Sequence, residues 1–519
     1  MAKSPRSLEA LHEILYGTGI SFFLAVLGSI IMFVVRLIGA KYLGPSNYGL
    51  FEMINTILGI FVILGTMGID NGALRFIPVY KTKKQWAELN GYIRFIFFLP
   101  TIISVVLGVL LFVFANTISS YYHFGSLFTL MLKLVSITVP IKVANRLIAS
   151  VFVSQKKMFL GRFGKEIIEP LVLLVGVFAI LLFNLNVFSL VVALALSTVS
   201  SFLFNLLSWN KLPRPKKKEP YKLHTSDWLK FSMPLFFMGF LTYIIRWTDN
   251  LVIGKIMDAR SLGIYSIAFT LAMLVFFIPE TFRGIVLTVL NETYVKSKYD
   301  FEVIFRRVRD ISFALSVSVA FIMLFFPKEI ITVLFGKDYA GGYMAFFILV
   351  SFSLVSIYFY FNHAILLLKK NTKFMFYNSL IVVIINLILN ICLVSLLGIE
   401  GAAISSGLSL LLIPFNEFLK SRKYIKIGFD LKYNFKYILA GIISIGIIKL
   451  LFHFLLNNVA LHIIIKLAIS FGFYYILFIG LLFIFRTFTK EDFKLMLLLE
   501  KKLRLNLSLP KKAIMLFYK

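Results

Sequence analysis

The stretch RLIGAKYLGPSNYGLFEM, residues 36–53, ends one apolar run near a lone arginine, turns at Gly44-Pro45 and opens a second apolar run. Further on, RWTDNLVIGKIMDARSLGIYSIAF, residues 246–269, makes the same manoeuvre. A chain that crosses an apolar medium, places charge near the far side, turns and crosses back has the pattern of a helical hairpin in a bilayer.

Composition agrees. The hydrophobic fraction is 60%, with 57 Phe, and the mean hydropathy is +0.91. Soluble domains sit nearer half apolar. Apolar stretches of about 18 or more residues recur along the chain, each long enough to span a bilayer. Their lack of strict polar–apolar alternation excludes a transmembrane β-barrel. The fold class is an all-α membrane protein with about 14 transmembrane helices. Expected spans lie near 15–38, 48–69, 93–115, 126–152, 166–184, 187–209, 231–254, 262–288, 311–335, 340–367, 375–397, 399–421, 435–456 and 462–486. Residues 1–19 lack a short apolar region with a small-residue cleavage site, so they are expected to be retained.

The net charge of +30 invites a nucleic-acid reading, but its placement argues for topology. Expected inner loops hold Lys81, Lys83 and Lys84; Lys156 and Lys157; Lys216, Lys217 and Lys218; Arg306 and Arg307; Lys369 and Lys370; Arg422 and Lys423. Expected outer loops hold little beyond Lys41, Lys255, Arg260 and Lys337. Over an even number of spans, the positive-inside rule puts both termini in the cytoplasm. The surplus cations also attract anionic lipid. A nucleic-acid partner is not expected.

The sole cysteine, Cys392, lies in an apolar run and permits no internal disulfide. The sequons at Asn291 and Asn506 fall on the expected inner side, so neither implies glycosylation. No GxxxxGK[ST] stretch cradles ATP phosphates and no HExxH or Cys/His spacing binds a metal. No cofactor is expected, and the short loops leave no room for a catalytic domain.

Sliding the chain by 214 residues carries NYGLFEMINTIL (47–58) onto SLGIYSIAFTLA (261–272), with Gly49 on Gly263. The same offset puts Lys156 on Lys370, and the loop before residue 188 near GIEGAAISS (398–406). Six spans separate the copies, so they share one orientation. Two parallel six-helix halves plus two C-terminal helices follow. The expected organisation is an N-terminal lobe over 1–210, a basic cytoplasmic linker over 211–230, a C-terminal lobe over 231–421, a basic loop and two helices over 422–486, and an amphipathic cytoplasmic tail over 487–519.

Gly44-Pro45 forms a tight turn, and Ser46 or Asn47 can cap the next helix. Gly49 and Gly263 permit close helix packing.

RLIGAKYLGPSNYGLF with LGTMGIDNGALRFIP (64–78) resembles the first hairpin of the polysaccharide biosynthesis flippases, a family with O-antigen-type translocases. It lies within the multidrug/oligosaccharidyl-lipid/polysaccharide exporter superfamily. DNLVIGKIMDARSLGIYSIAF resembles that family's seventh and eighth helices, and LGIEGAAISS the loop before its twelfth. Arg36, Gly44, Gly49, Asp249, Gly263 and Tyr265 match the pattern. The resemblance implies V-shaped lobes around a central cavity and movement of a polyprenyl-(pyro)phosphate-linked oligosaccharide from the inner to the outer leaflet of the plasma membrane. It implies a monomer without enzymatic activity, with H+ or Na+ as a possible coupling ion. A cation-coupled multidrug antiporter of the same superfamily is the alternative. Those antiporters commonly carry an acidic residue in the first helix, and span 15–38 has none. An integral glycosyltransferase or polymerase is the different-class alternative; it would want a long loop bearing carboxylates.

Charges inside spans are costly and therefore informative. Arg36 ends the first span, either facing a cavity or snorkelling to headgroups. Arg246 and Asp249 lie one turn apart, placed to pair on one face. Asp249 is either a counter-ion holding Arg246 or a proton or cation site. Asn250 falls on Arg36 under the 214-residue offset. Lys142 and Arg146 are one turn apart, nearer the inner side, and divide between cavity and snorkel. Glu52 sits early in the second span. Glu280 and Arg283 can satisfy each other. Glu166 and Glu169 are expected beside Lys165 and solvent, and His363 at an interface. Given the resemblance, Arg36, Arg246, Lys142 and Arg146 are candidates to hold the lipid phosphate, because guanidinium matches phosphate geometry.

Overall fold

A computed structural model describes residues 5–211, 221–283, 297–425, 431–451 and 463–487. Residues 212–220 of the basic linker, the tail beyond Thr487, and both sequon asparagines lie outside the described residues. The described chain is built from helices: α1 (Pro5–Thr66), α2 (Ile69–Thr82), α3 (Trp86–Val113), α4 (Ala115–Tyr122), α5 (Gly125–Ser154), α6 (Met158–Phe163), α7 (Glu169–Phe183), α8 (Val187–Ser208), α9 (Thr225–Ile256) and α10 (Ala259–Met273). There follow α11 (Lys298–Phe325), α12 (Pro327–Phe335), α13 (Tyr343–Phe359), α14 (Asn362–Leu368), α15 (Thr372–Leu397), α16 (Ile399–Ser421), α17 (Leu431–Leu451) and α18 (Ile463–Ile484).

Thirteen stretches among the described residues are long and apolar enough to cross a membrane. The first, Gly19–Thr82, is 64 residues long. At a rise of about 1.5 Å per residue it far exceeds one bilayer. It contains the two spans expected before residue 70, so the count agrees with the sequence. The break is at Gly44, where φ is 74° and ψ 168° inside α1. Only glycine takes that conformation without strain. Pro45 follows as the first residue of the resumed helix, where its missing N–H costs nothing. The expected cap is absent. The amide of Asn47 instead donates back to the Leu43 carbonyl at 3.1 Å, serving an acceptor on the far side of the break.

The 214-residue repeat is written into the backbone. Lys156 and Lys370 both take positive φ, at 63° and 53°, as do Asn184 and Gly398, at 50° and 64°. The turns close with the same bonds: Lys156 N–H to Val153 and Lys157 N–H to Phe152 in one copy, Lys370 N–H to Leu367 and Asn371 N–H to Leu366 in the other. Gly49 and Gly263 meet each other. A Cβ on Gly49 would strike the Ala259 carbonyl, and one on Gly263 the Pro45 carbonyl. Pro45 and Ala259 are themselves matched by the offset. Each segment presents to the other what the other presents to it, the mark of a local twofold axis.

The chain divides into two compact units. The first holds residues 1–267, 334–341 and 379–406. At its centre α5 packs against α1, α2, α3 and α8, burying Val135, Val139, Val143, Leu147 and Phe152. The second holds residues 268–333, 342–378 and 407–519. There α11 packs on α13 and α17, and α17 on α18. A cluster of Phe301, Phe305, Phe361, Ile365 and Ile425 forms part of its core.

Candidate functional site

The polar residues of the first unit gather into four connected groups. The first surrounds Asp249, which is buried on α9. Its Oδ1 accepts from Asn390 Nδ2 at 2.9 Å. Its Oδ2 accepts from Ser406 Oγ at 2.5 Å and from the Tyr265 hydroxyl. Four helices, α9, α10, α15 and α16, thus converge on one carboxylate. The donors are neutral, so the expected pairing with Arg246 is replaced by a different arrangement. Arg246 is exposed on the same helix, beside Tyr243. The side-chain carbonyl oxygens of Asn390 and Asn386 are buried and receive no donor among the described residues. The carboxylate and the two hydroxyls on it present oxygen atoms. Such a set suits a proton or a hard cation. Among the described residues no three His, Cys, Asp or Glu side chains cluster for a transition metal.

The second group links the two hairpins. Arg36 interacts electrostatically with Glu52 and Tyr48. The Tyr48 hydroxyl donates to Glu52 Oε1 at 2.9 Å. Thr56 Oγ1 donates to the Glu52 carbonyl at 2.8 Å and accepts from Asn250 Nδ2 at 2.9 Å. Glu52 is buried, so Arg36 has a partner inside the protein and snorkelling is not its sole role.

The third group joins Arg146 to Asp70. Arg146 Nε and Nη2 both lie 2.8 Å from Asp70 Oδ2. Tyr243 brings these groups together, because Arg246, Arg146 and Glu52 all act on it electrostatically. Its hydroxyl rests where Gly59 lacks a side chain.

The fourth group occupies α5, α7 and α8. Lys142 Nζ lies 3.8 Å from Glu169 Oε2. Asn145 Nδ2 donates to Glu169 Oε1 at 3.3 Å and to Ser201 Oγ at 2.8 Å, and its oxygen accepts from Asn205 at 2.6 Å. Glu169 was expected beside Lys165 and solvent. It turns inward instead, because one turn of π-helix, Gly164–Ile168, shifts the register just before it. Glu166 keeps the expected surroundings, 3.8 Å from Arg162 and 3.9 Å from Lys165.

In the second unit Arg283 lies 3.4 Å from Glu280, as their spacing suggested, and the Tyr360 hydroxyl also binds Glu280. His363 Nδ1 lies 3.0 Å from the buried Glu417. Arg309 is buried on α11 beside Asp310 at 2.9 Å and lies over the Tyr358 ring.

Sequence reasoning did not single out Asp70, Asn145, Ser201, Asn205, Tyr243, Asn390 or Ser406. All but Asp70 are uncharged, and Asp70 stood only inside the quoted LGTMGIDNGALRFIP.

A family profile described as "Polysaccharide biosynthesis protein" matches residues 38–343, more than half of the chain and most of these groups. The chain belongs to the polysaccharide biosynthesis protein family. This family member is also 24% identical over 490 residues to an uncharacterized membrane protein of Methanocaldococcus jannaschii, covering 89% of this chain and 94% of that one. Its fold is similar to that of lipid II flippase MurJ in an inward closed conformation, with a TM-score of 0.67, 17% identity, and 91% and 98% of the two chains covered. It is also similar to an inward-facing multidrug resistance MATE family transporter of the MOP superfamily, with a TM-score of 0.62, 15% identity, and 76% and 94% covered. At these identities the likeness is one of fold.

Proposed function

We propose that this polysaccharide biosynthesis family member is a flippase. It carries a polyprenyl-(pyro)phosphate-linked oligosaccharide from the inner to the outer leaflet of the plasma membrane, by alternating access of its two six-helix halves. The observation that carries the reading is the gathering of Arg36, Arg146 and Arg246 around Glu52 and Tyr243. Guanidinium groups from three helices act on Glu52 or on Tyr243, inside spans where an unused charge would be costly. They match a phosphate or pyrophosphate in charge and geometry. The sugar travels past the polar residues while the polyprenyl tail stays in lipid. Lys142 is set back from this role by its pairing with Glu169.

Drive without an ATP motif comes from an ion gradient, the membrane potential or consumption of product outside. The Asp249 group supports ion coupling, by H+ or Na+. Occupancy of that carboxylate would bias the two conformations through the four helices that hold it. The same group favours the second reading, a cation-coupled antiporter for small molecules. The two part on substrate. Deleting the gene should leave a lipid-linked glycan on the cytoplasmic face if the flippase reading holds. Unchanged glycan distribution, with loss of small-molecule efflux, selects the antiporter.

A further inference from the structure

We propose that Asp70 is a positioning residue that orients the Arg146 guanidinium toward the lipid phosphate, an inference that rests on the flippase reading above. The ion pair is unequal. The Asp70 side chain is 10% exposed and that of Arg146 45%. Here a buried carboxylate holds a half-exposed cation by one edge.

The geometry of that edge decides what remains. Nε and Nη2 share one edge of the planar guanidinium, and both reach Asp70 Oδ2 at 2.8 Å. Two contacts to one atom hold that edge against the carboxylate, so the opposite edge faces away from it. The opposite edge, formed by Nη1 and the outer N–H of Nη2, makes no hydrogen bond among the described residues. That edge is the fork that meets two oxygens of a phosphate. Arg146 also acts on Tyr243, as Arg246 does, so the two proposed phosphate cations share a tyrosine neighbour.

Asp70 is built for this task. It stands in the first turn of α2, after Gly68 in the left-handed region at φ 69°. A helix start favours negative charge, so the carboxylate stays in place beside an arginine that is only half committed to it. Its Oδ1 is buried and receives no donor among the described residues. Arg146 is therefore the cation that compensates the charge among the described residues. The neighbouring Tyr92 hydroxyl donates to the Ile69 carbonyl at 3.1 Å, which pins the backbone at the base of the carboxylate.

The test uses the full chain in nanodiscs, with farnesyl pyrophosphate as probe and farnesol as its neutral counterpart. Wild type should prefer the pyrophosphate, and Arg246→Gln should weaken that preference. Asp70→Asn should weaken pyrophosphate binding about tenfold, the scale of one charge-assisted hydrogen bond, and leave farnesol binding unchanged. Asp70→Glu should restore part of the loss. In combination with Arg146→Gln, Asp70→Asn should add nothing further, the non-additivity expected of residues acting through one group. A merely structural Asp70 would reduce binding of both probes and add to Arg146→Gln, overturning the proposal. Wild-type pyrophosphate affinity in Asp70→Asn, with Arg246→Gln still impaired, overturns the positioning role alone. A wild-type chain indifferent to the pyrophosphate overturns the phosphate site itself, and the positioning role with it.

Discussion

Replacing Gly263 with alanine tests the reciprocal contact of the two hairpins. The added Cβ meets the Pro45 carbonyl and, at 3.1 Å, the Gly49 nitrogen. Both are backbone, so neither can rotate aside as a side chain would. Overpacking of this kind costs about 1–3 kcal/mol. The cost applies only in a conformation that keeps the segments together. The gain in helix propensity, up to about 1 kcal/mol, applies with or without the contact and cancels. The contacting conformation should therefore lose about 5- to 150-fold in relative population. Leu262, fully buried beside the contact, reports the change. In a Cys392→Ser background, a cysteine replacing Leu262 should react faster with a membrane-impermeant maleimide once Gly263→Ala is added. Gly49→Ala, which strikes Ala259 and Gly263, should do the same from the other side. Unchanged labelling and an unchanged melting temperature in both variants would refute the close approach.

Other outcomes follow from individual groups. Arg246→Ala should abolish flipping of a lipid-linked oligosaccharide in reconstituted vesicles while membrane expression persists; flipping at the wild-type rate would remove Arg246 from the site. Asp249→Asn should make transport insensitive to an imposed H+ or Na+ gradient, measured in the same vesicles with and without that gradient. Asn145→Ala deletes the hub of three hydrogen bonds and should cost about 2–4 kcal/mol, read as a lower melting temperature in detergent. Arg283→Ala removes an ion pair whose partners are 53% and 55% exposed and should leave that temperature nearly unchanged, since exposed pairs contribute about 0–1 kcal/mol.

The spans were legible because hydrocarbon imposes a composition on every residue that faces it, and the runs are long. The break at Gly44 was legible because glycine followed by proline has few other uses. The repeat was legible only as weak identities, yet Lys156 and Lys370 adopt the same left-handed turn. The candidate site was half legible. Charges within spans stand out against apolar neighbours, so Arg36, Glu52, Arg146, Arg246 and Asp249 could be named. Their partners could not. Asn390 and Ser406 lie 141 and 157 residues from Asp249, and serine or asparagine in an apolar helix commonly bonds its own backbone. Helical spacing suggested Arg246 for Asp249, because spacing sees one helix at a time. Three donors from other helices outcompeted it. The inward turn of Glu169 depended on a π-helical turn that no spacing rule anticipates.

The reciprocal glycine contact also bears on how two repeats of one backbone came to carry different side chains. In a dimer of identical half-length chains, every arginine near the axis would bring a second arginine opposite it. Fusing the halves removes that constraint. At matched positions one half now carries Arg36 and Glu52 where the other has Asn250 and Ser266, and Asp249 and Tyr265 stand opposite Val35 and Phe51. The backbone keeps its symmetry through Gly49 and Gly263 while the side chains at matched positions differ. Under the flippase reading proposed above, that divergence lets one chain carry both arginines for an anionic cargo and the buried Asp249 carboxylate.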